Sequence, residues 1–368
     1  MSTGQPHAVL MSPVPEGNAG GVERFCWLLA EVLRGQGWRV SIVGPTRQPG
    51  RWVFRVGASP LLWSVSTARA VAAADRSAEL IVGNGFLGLG VPKGAARVQV
   101  FHGTSAAEIL AARPSLVRRD FLRRIVSYWP LEARTCRAGR LVVVSDSAAR
   151  ETKRYYRHAA TRVIPNGVDT ELFKPREMHA DQRRDTGPAR ARLGLSGDTR
   201  LALFVGRPEY RKGADLVIEA CERAGWKLVH AGSRGIPGAH HLGVLSPEEL
   251  VDAYAAADCM LFPTRYEACS YAILEALACG TPVVSTRVGW MTTLLEQVPA
   301  YDALCVSPNV EDIAARLRWL EAESEQANKT VSETTARARE FVCEHNSIER
   351  WQAQWLEVID EAVQAHAT

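Results

Sequence analysis

The chain has 368 residues, too many for one ordinary hydrophobic core and suited to two domains. Its composition, 46% hydrophobic and 23% charged, is that of a soluble globular protein. No apolar run approaches membrane-spanning length and MSTGQPHAVLMSPVP lacks a basic flank followed by an apolar core, so a cytoplasmic protein is expected.

The chain opens on HAVLMSP, a short apolar strand, followed by the glycine-bearing loop EGNAGG, the helical pattern VERFCWLLAEVLRGQG and the strand WRVSIVG. Strand patterns follow at 80–84, 97–103, 141–146 and 161–167, with helical stretches at 60–75, 115–136 and 147–157. Alternation of this kind builds a parallel sheet with helices on both faces. The segment 174–198 is charged, holds Gly and Pro, and reads as a linker with one short helix, the hinge lying near Phe173 to Pro175. The second half repeats the scheme, with strands at 200–207, 226–232, 259–263 and 281–285 and helices at 213–224, 247–256, 270–279 and 310–322. IERWQAQWLEVIDEAVQ then forms an amphipathic helix whose Trp351, Trp355 and Leu356 stripe needs a surface to cover. The expected architecture is α/β: two Rossmann-like doubly wound domains, 1–173 and 174–345, facing across a cleft, with the helix of 346–368 returning to the first.

In such sheets ligands bind at the carboxyl ends of the strands, where the free N–H groups of the next helix favour an anion. Glu267 and Glu275 lie eight apart in PTRYEACSYAILEALACGTPVVST, where the apolar strand CMLFP gives way to a helix for which Ser270 is the expected N-cap. Carboxylates beside a phosphate site are not phosphate ligands; they accept hydrogen bonds from hydroxyls flanking it, as sugars on either side of a diphosphate would supply. Without that context Glu267 would be a solvated loop residue and Glu275 a helix-surface one. In FVGRPEYRKG, Arg207 follows a strand and Lys212 precedes a helix, two cations placed to neutralise a diphosphate. Gly20 and Gly21 let backbone approach a ligand, although the absence of GxGxxG argues against a dinucleotide. His102 ends the strand RVQVFHG at the corresponding edge of the first domain.

Charge is unevenly divided about a net +4: residues 1–173 carry 23 Lys and Arg against 12 Asp and Glu, and residues 174–368 carry 21 against 28. The first half is therefore expected to meet something anionic. In 114–134, Arg118, Arg119, Arg123 and Arg124 alternate with Phe121, Leu122, Ile125, Val126, Tyr128 and Trp129, a pattern suited either to peripheral contact with an anionic membrane at its inner face or to ordinary helix packing with an arginine face in water. The eight cysteines form no CxxC pair and lack histidines at zinc spacing, so neither disulfides nor a metal site is indicated.

The segments GNAGGVERF, VFHG, VVSDSAARE, VIPNGVDTELFKP, LFVGRPEYRKGADLVIEA, LSPEELVDAYAAAD and PTRYEACSYAILEALACGTPVVST, in this order, resemble the retaining, nucleotide-sugar-dependent glycosyltransferases of the GT-B fold, glycosyl transferases of group 1 and family 4. The resemblance runs from residue 7 to about 357. It implies that Arg207 and Lys212 hold the donor diphosphate, Glu267 contacts hydroxyls of the transferred sugar, and Glu275 takes the ribose. Backbone at Ala268, Cys269, Ser270 and Tyr271 meets phosphate or sugar, Gly20 and Gly21 the phosphate or reaction centre, and His102 the donor sugar. Asn166 and Asp169 belong to hinge architecture. Where the family reads Glu-Gly-Phe-Gly this chain has Glu267-Ala268-Cys269-Ser270, and Arg207-Pro208-Glu209 replaces the usual apolar residue after the arginine.

The expected activity is hexosyl transfer from a nucleoside-diphosphate sugar to a lipid-linked, saccharide or small-molecule hydroxyl, with no metal or other cofactor. A nucleotide-sugar epimerase of the same fold is one alternative, excluded by a product with a new glycosidic bond. A nucleic-acid-binding or modifying protein is another, weakened by the lack of a dense basic stripe with interleaved aromatics, and a non-catalytic scaffold is disfavoured by the intact Arg207, Lys212, Glu267 and Glu275.

Overall fold

The computed structural model describes residues 5–14, 20–44, 64–65, 67–71, 78–91, 94–176, 187–195, 199–322 and 325–367, which divide into two compact units: Met1–Asn166 with Trp351–Thr368, and Gly167–Arg350. Unit 1 is built on β1 (His7–Met11), α1 (Gly21–Gly35), β2 (Arg39–Val43), β3 (Leu80–Asn84), β4 (Ala96–Phe101), α2 (Ser105–Ala112), α3 (Arg118–Thr135), β5 (Arg140–Val143), α4 (Asp146–Tyr156) and β6 (Arg162–Val163). The strands pair in parallel in the order β2-β1-β3-β4-β5-β6, so the winding reverses between β1 and β3. β1 and β3 are buried throughout, as apolar strands covered on both faces must be. Part of the EGNAGG loop (residues 16–19) and much of the helical stretch expected at 60–75 lie outside the described residues.

In unit 2, α5 (Gly187–Arg192) is the short helix expected within 174–198, most of which is outside the described residues. There follow β7 (Leu201–Val205), α6 (Ala214–Ala224), β8 (Lys227–Ala231), β9 (His240–Gly243), α7 (Pro247–Ala256), β10 (Cys259–Phe262), α8 (Tyr271–Ala278), β11 (Val283–Ser285), α9 (Trp290–Gln297), α10 (Val310–Glu321) and α11 (Glu325–His345). The parallel order β11-β10-β7-β8-β9 reverses between β7 and β10. That reversal splays the two following loops apart at one edge, leaving a crevice between them. β9 was not expected: its sequence HHLG is polar because it is an edge strand, half-exposed on its length. α9 and α11 were not expected either. α11 owes its form to packing on α8 and the 3₁₀ turns at Pro299–Leu304 more than to its Thr- and Lys-bearing sequence.

The last helix, α12 (Ile348–Ala367), begins at the end of unit 2 and from Trp351 onward belongs to unit 1. Its buried stripe is Trp351, Trp355, Val358, Ile359 and Ala362; Leu356, expected in that stripe, flanks it half-buried. The Phe25 ring of α1 meets Trp351 and Trp355 edge-on at 5.8 and 5.0 Å, and Arg140 and Arg162 pair with Glu361 at 2.8 and 2.7 Å. All eight cysteines are free thiols, seven of them buried, and no helix of the described residues is long and apolar enough to cross a membrane. Trp355→Ala removes the centre of the α1–α12 contact and should cost unit 1 about 3–5 kcal/mol; a denaturant titration following the tryptophan-rich interface reads this as a lowered midpoint.

Candidate functional site

The loops leaving β7 and β10 are stitched together in unit 2. Gly213, at φ +74, lies so close to Pro263 that a Cβ would come within 2.3 Å of its carbonyl oxygen, so only glycine fits. The Arg265 main-chain N–H donates to the Arg211 carbonyl (2.7 Å), and the Arg265 guanidinium reaches back to Asp215 (2.7 and 2.8 Å) over the Tyr210 ring. This brings together four side chains of alternating sign. Arg207, exposed, lies 3.3 Å from Glu209; Glu209 lies 3.3 Å from Arg211; Arg211 lies 3.4 Å from Glu267 and also donates to the Tyr266 carbonyl at 3.1 Å.

Lys212 ends the 3₁₀ turn Tyr210–Lys212, half-buried with Nζ 5.2 Å from the centre of the Phe262 ring. Burial pulls its pKa down, and the Glu267 carboxylate pushes back. Its ammonium lies beside Gly206, whose φ of +124 turns the chain out of β7. Counting these residues, three cations face two carboxylates, an excess of positive charge at a strand's carboxyl end. His230, buried on β8, contacts the Gly206 carbonyl through Nε2 (2.8 Å) and so fixes the residue before Arg207.

Ala268, Cys269, Ser270 and Tyr271 are buried. Ser270 occupies the N-cap of α8, as expected, but its side chain makes no capping hydrogen bond, a correction to its expected role. Glu275 is not a helix-surface residue: it is 2% exposed, and Oε2 accepts a hydrogen bond from the Tyr254 hydroxyl of α7 (2.9 Å). The loop before α8 rests on Gly289, at φ +60, where a Cβ would lie 2.0 Å from the Glu267 carbonyl oxygen and 2.6 Å from that of Ala268. The next residue, Trp290, donates its N–H to Ala268 (2.7 Å).

In unit 1, Gly20 is the N-cap of α1 and Gly21 its first residue, without a side-chain cap. His102 follows β4, its Nε2 3.0 Å from Asn84 Oδ1 at the end of β3 and its ring 4.8 Å from Phe25. Asn84 Nδ2 donates to the Met11 carbonyl (2.6 Å), so its oxygen is the acceptor and His102 Nε2 carries the proton. Burial pulls the His102 pKa down to about 4, so near neutral pH the ring is neutral and its Nδ1 is an acceptor. It is a hydrogen-bonding group rather than a proton reservoir. Asp169 caps its own turn, accepting from the N–H groups of Glu171 and Leu172. The structure thus gathers Arg207, Lys212, Glu267 and the start of α8 at one crevice of unit 2, and Gly20, Gly21 and His102 at one sheet edge of unit 1. Arg211, His230 and Gly289 were not singled out by sequence; Arg211 was legible only as part of a charged run.

Residues 19–172 match the family model described as Glycosyltransferase Family 4, and residues 185–337 the one described as Glycosyl transferases group 1. A D-inositol 3-phosphate glycosyltransferase of Nocardiopsis dassonvillei is 35% identical over 216 residues, which is 50% of this chain and 48% of that protein. The chain therefore matches between 34% and 48% of the length of these curated relatives. Two solved structures share the fold: sucrose-phosphate synthase from Thermosynechococcus elongatus (TM-score 0.78, 21% identity, 98% of this chain and 100% of that one) and WaaG, a glycosyltransferase involved in lipopolysaccharide biosynthesis (TM-score 0.72, 16% identity, 96% and 99%).

Gly289→Ala should force the Glu267–Ala268 carbonyls outward and strain a left-handed residue. A loss of at least ~2 kcal/mol in unfolding free energy is expected, and unchanged thermal stability would contradict the described loop.

Proposed function

We propose that this chain, a glycosyltransferase of the GT-B fold, moves a hexosyl group from a nucleoside-diphosphate sugar to a hydroxyl acceptor with retention at the anomeric carbon and without a metal. The observation that carries the donor assignment is the crevice beside β7 and β10, where Arg207, Lys212 and the α8 N-terminus supply positive charge next to Glu267. Arg207 and Lys212 take the diphosphate, Glu267 the hydroxyls of the transferred sugar, and Glu275 the ribose. Main chain from Ala268 through Cys269 and Ser270 to Tyr271 borders phosphate and sugar. Gly20 and Gly21 serve the phosphate or reaction centre, and His102 accepts a sugar hydroxyl at Nδ1.

In the transfer, the bond from the anomeric carbon to the diphosphate breaks and its electron pair leaves with the phosphate. The acceptor oxygen bonds to the same face of that carbon, and its proton passes to the departing phosphate oxygen. Fixed cations beside the leaving group lower the barrier electrostatically. Arg211 holds Glu267 in place, and a carboxylate so engaged suits hydroxyl binding rather than nucleophilic attack. No step requires protonated His102. The name of the curated relatives makes a phosphorylated polyol the first acceptor to try, alongside lipid-linked and saccharide hydroxyls.

A peripheral location at the inner membrane face is supported by the exposed residues around α3. Among the described residues, Leu110 (40%), Val117 (67%), Leu122 (50%) and Val126 (72%) are large apolar side chains open to water. At helical spacing, Arg118 flanks Leu122 and Val126 on one side and Arg119 and Arg123 on the other, a charge match for anionic lipid. Tyr128 and Trp129, expected in the same face, instead pack inward on Phe86 and Tyr155.

A panel of nucleoside-diphosphate sugars scored by slow hydrolysis tests the donor reading without a known acceptor; hydrolysis of none would overturn it. Lys212→Ala and Glu267→Gln should each lower turnover about a hundredfold, on the order of 2–4 kcal/mol of transition-state stabilisation, with the fold intact. Activity should persist in excess EDTA, and loss restored by magnesium or manganese would refute metal independence. Sedimentation with vesicles tests the lipid contact. Binding to anionic but not neutral vesicles, abolished when Arg118, Arg119, Arg123 and Arg124 become glutamine, is expected, and equal recovery in the supernatant with both lipids would refute it.

A further inference from the structure

The transfer as described leaves one buried carboxylate of unit 1 unused. Glu132, on α3, is 3% exposed and lies against the start of α2. Its Oε2 accepts from the Ser105 main-chain N–H (2.8 Å) and from the Tyr156 hydroxyl of α4, and its Oε1 accepts from the Ser105 hydroxyl (2.7 Å). The first turn of a helix has N–H groups with no partner inside the helix. In α2 the protein satisfies Ser105 by Glu132, Ala106 by the Tyr156 hydroxyl (3.3 Å) and Ala107 by the Thr104 side chain (3.3 Å), and the helix's own ladder begins with the Glu108 N–H donating to the Thr104 carbonyl (3.0 Å). Thr104 in turn donates to Glu151 of α4 at 2.6 Å. A helix start closed in this way is not an anion site. Its effect is to fix the start of α2, and with it the short turn of His102, Gly103 (φ +123) and Thr104 that joins β4 to α2.

We propose that Glu132 is a positioning residue for the transfer: by gripping Ser105 through both its N–H and its hydroxyl, it sets the turn that aims His102. This rests on the assignment of His102 to the donor sugar. The hold depends on the carboxylate being ionised. Once protonated, one oxygen becomes a donor; the hydroxyls of Ser105 and Tyr156 can rotate to accept it, whereas the Ser105 N–H cannot turn and must share what acceptor remains. Burial pushes the Glu132 carboxyl up to about 7, with the Tyr156 and Ser105 hydrogen bonds pulling the other way and Glu108 of α2 adding to the rise. The other titratable groups facing it are Tyr156 of α4, Tyr128 on α3 and Cys136 at the C-cap of α3. His102, held low, titrates well away from this range.

Turnover should therefore fall as pH drops through about 7, a limb belonging to Glu132. Stability runs the other way. The folded-state pKa lies above the unfolded value, so the folded protein binds the extra proton between roughly pH 4.5 and 7, and the contribution of Glu132 is lost as pH rises through that window.

The test uses the full chain, the donor found by the hydrolysis panel, and the variants Glu132→Gln and His102→Ala. Glu132→Gln mimics the protonated acid in shape. It should lower kcat about tenfold at pH ~8, leave the donor KM within about twofold and flatten the pH–rate profile. Its melting temperature should stop falling between about pH 5 and pH 8. Should Glu132→Gln change only the melting curve and keep the wild-type kcat and pH limb while His102→Ala is impaired, Glu132 is structural and the proposal fails with the His102 assignment intact. Full activity in His102→Ala would remove that assignment, and the proposal with it, whatever Glu132→Gln does. Glu132→Ala, measured for melting alone, shows how much of any loss comes from an emptied site.

Discussion

The reversal of strand order between β7 and β10 is the constraint on which the proposed donor site depends. Neighbouring parallel strands whose following connections run to opposite sides leave their loops parted, and the gap is bounded by whatever residues those loops carry. Here one loop carries Arg207, Glu209, Arg211 and Lys212 and the other Glu267, so groups about sixty positions apart in sequence meet because of topology alone. The contact of Gly213 with the Pro263 carbonyl fixes how near the loops come, and Gly289 plays the same part from behind Glu267. Both positions exclude a Cβ for a steric reason that no propensity reveals.

Within that crevice the charges are arranged in series. Glu209 sits between Arg207 and Arg211, and Arg211 between Glu209 and Glu267. An exposed pair such as Arg207 with Glu209 is worth little by itself. On the proposed assignment, a diphosphate beside Arg207 competes for a cation already partly neutralised by Glu209. Lys212 differs: half-buried against Phe262, it is costly to hold charged without a carboxylate nearby, and Glu267 is that carboxylate. The two residues assigned to different parts of the donor are thus electrostatically one unit.

The sequence was readable where local pattern and tertiary role agree. Buried parallel strands are continuous apolar runs, so β1, β3, β7 and β10 were found to within a residue or two, and α7, expected at 247–256, runs Pro247–Ala256 behind a Ser246–Glu249 capping box. β9 was not, since an edge strand of two histidines, Leu and Gly has no run to recognise. α11 lacks a strong apolar stripe and forms against α8. Among candidate site residues, Arg207, Lys212 and Glu267 were picked out by the place of their loops, and the role given to His102 came from resemblance. Arg211, His230 and Glu132 act through partners 56, 24 and 27 positions away, and nothing in their local sequence reports those partners. Ser270 stands at the expected cap position, yet its hydroxyl is not used there.

The C-terminal helix has a consequence for the order of folding. Unit 1 is interrupted in the chain by the whole of unit 2, and Trp351 and Trp355, which cover Phe25, are made only after all of it. During synthesis the segment Gly167–Arg350 is complete, with its own sheet and core, while α1 still presents an uncovered aromatic face. Unit 2 can therefore close while unit 1 still lacks the helix that follows it. Phe25 also touches His102, so the ring assigned to the sugar gains its full support only once that helix is in place.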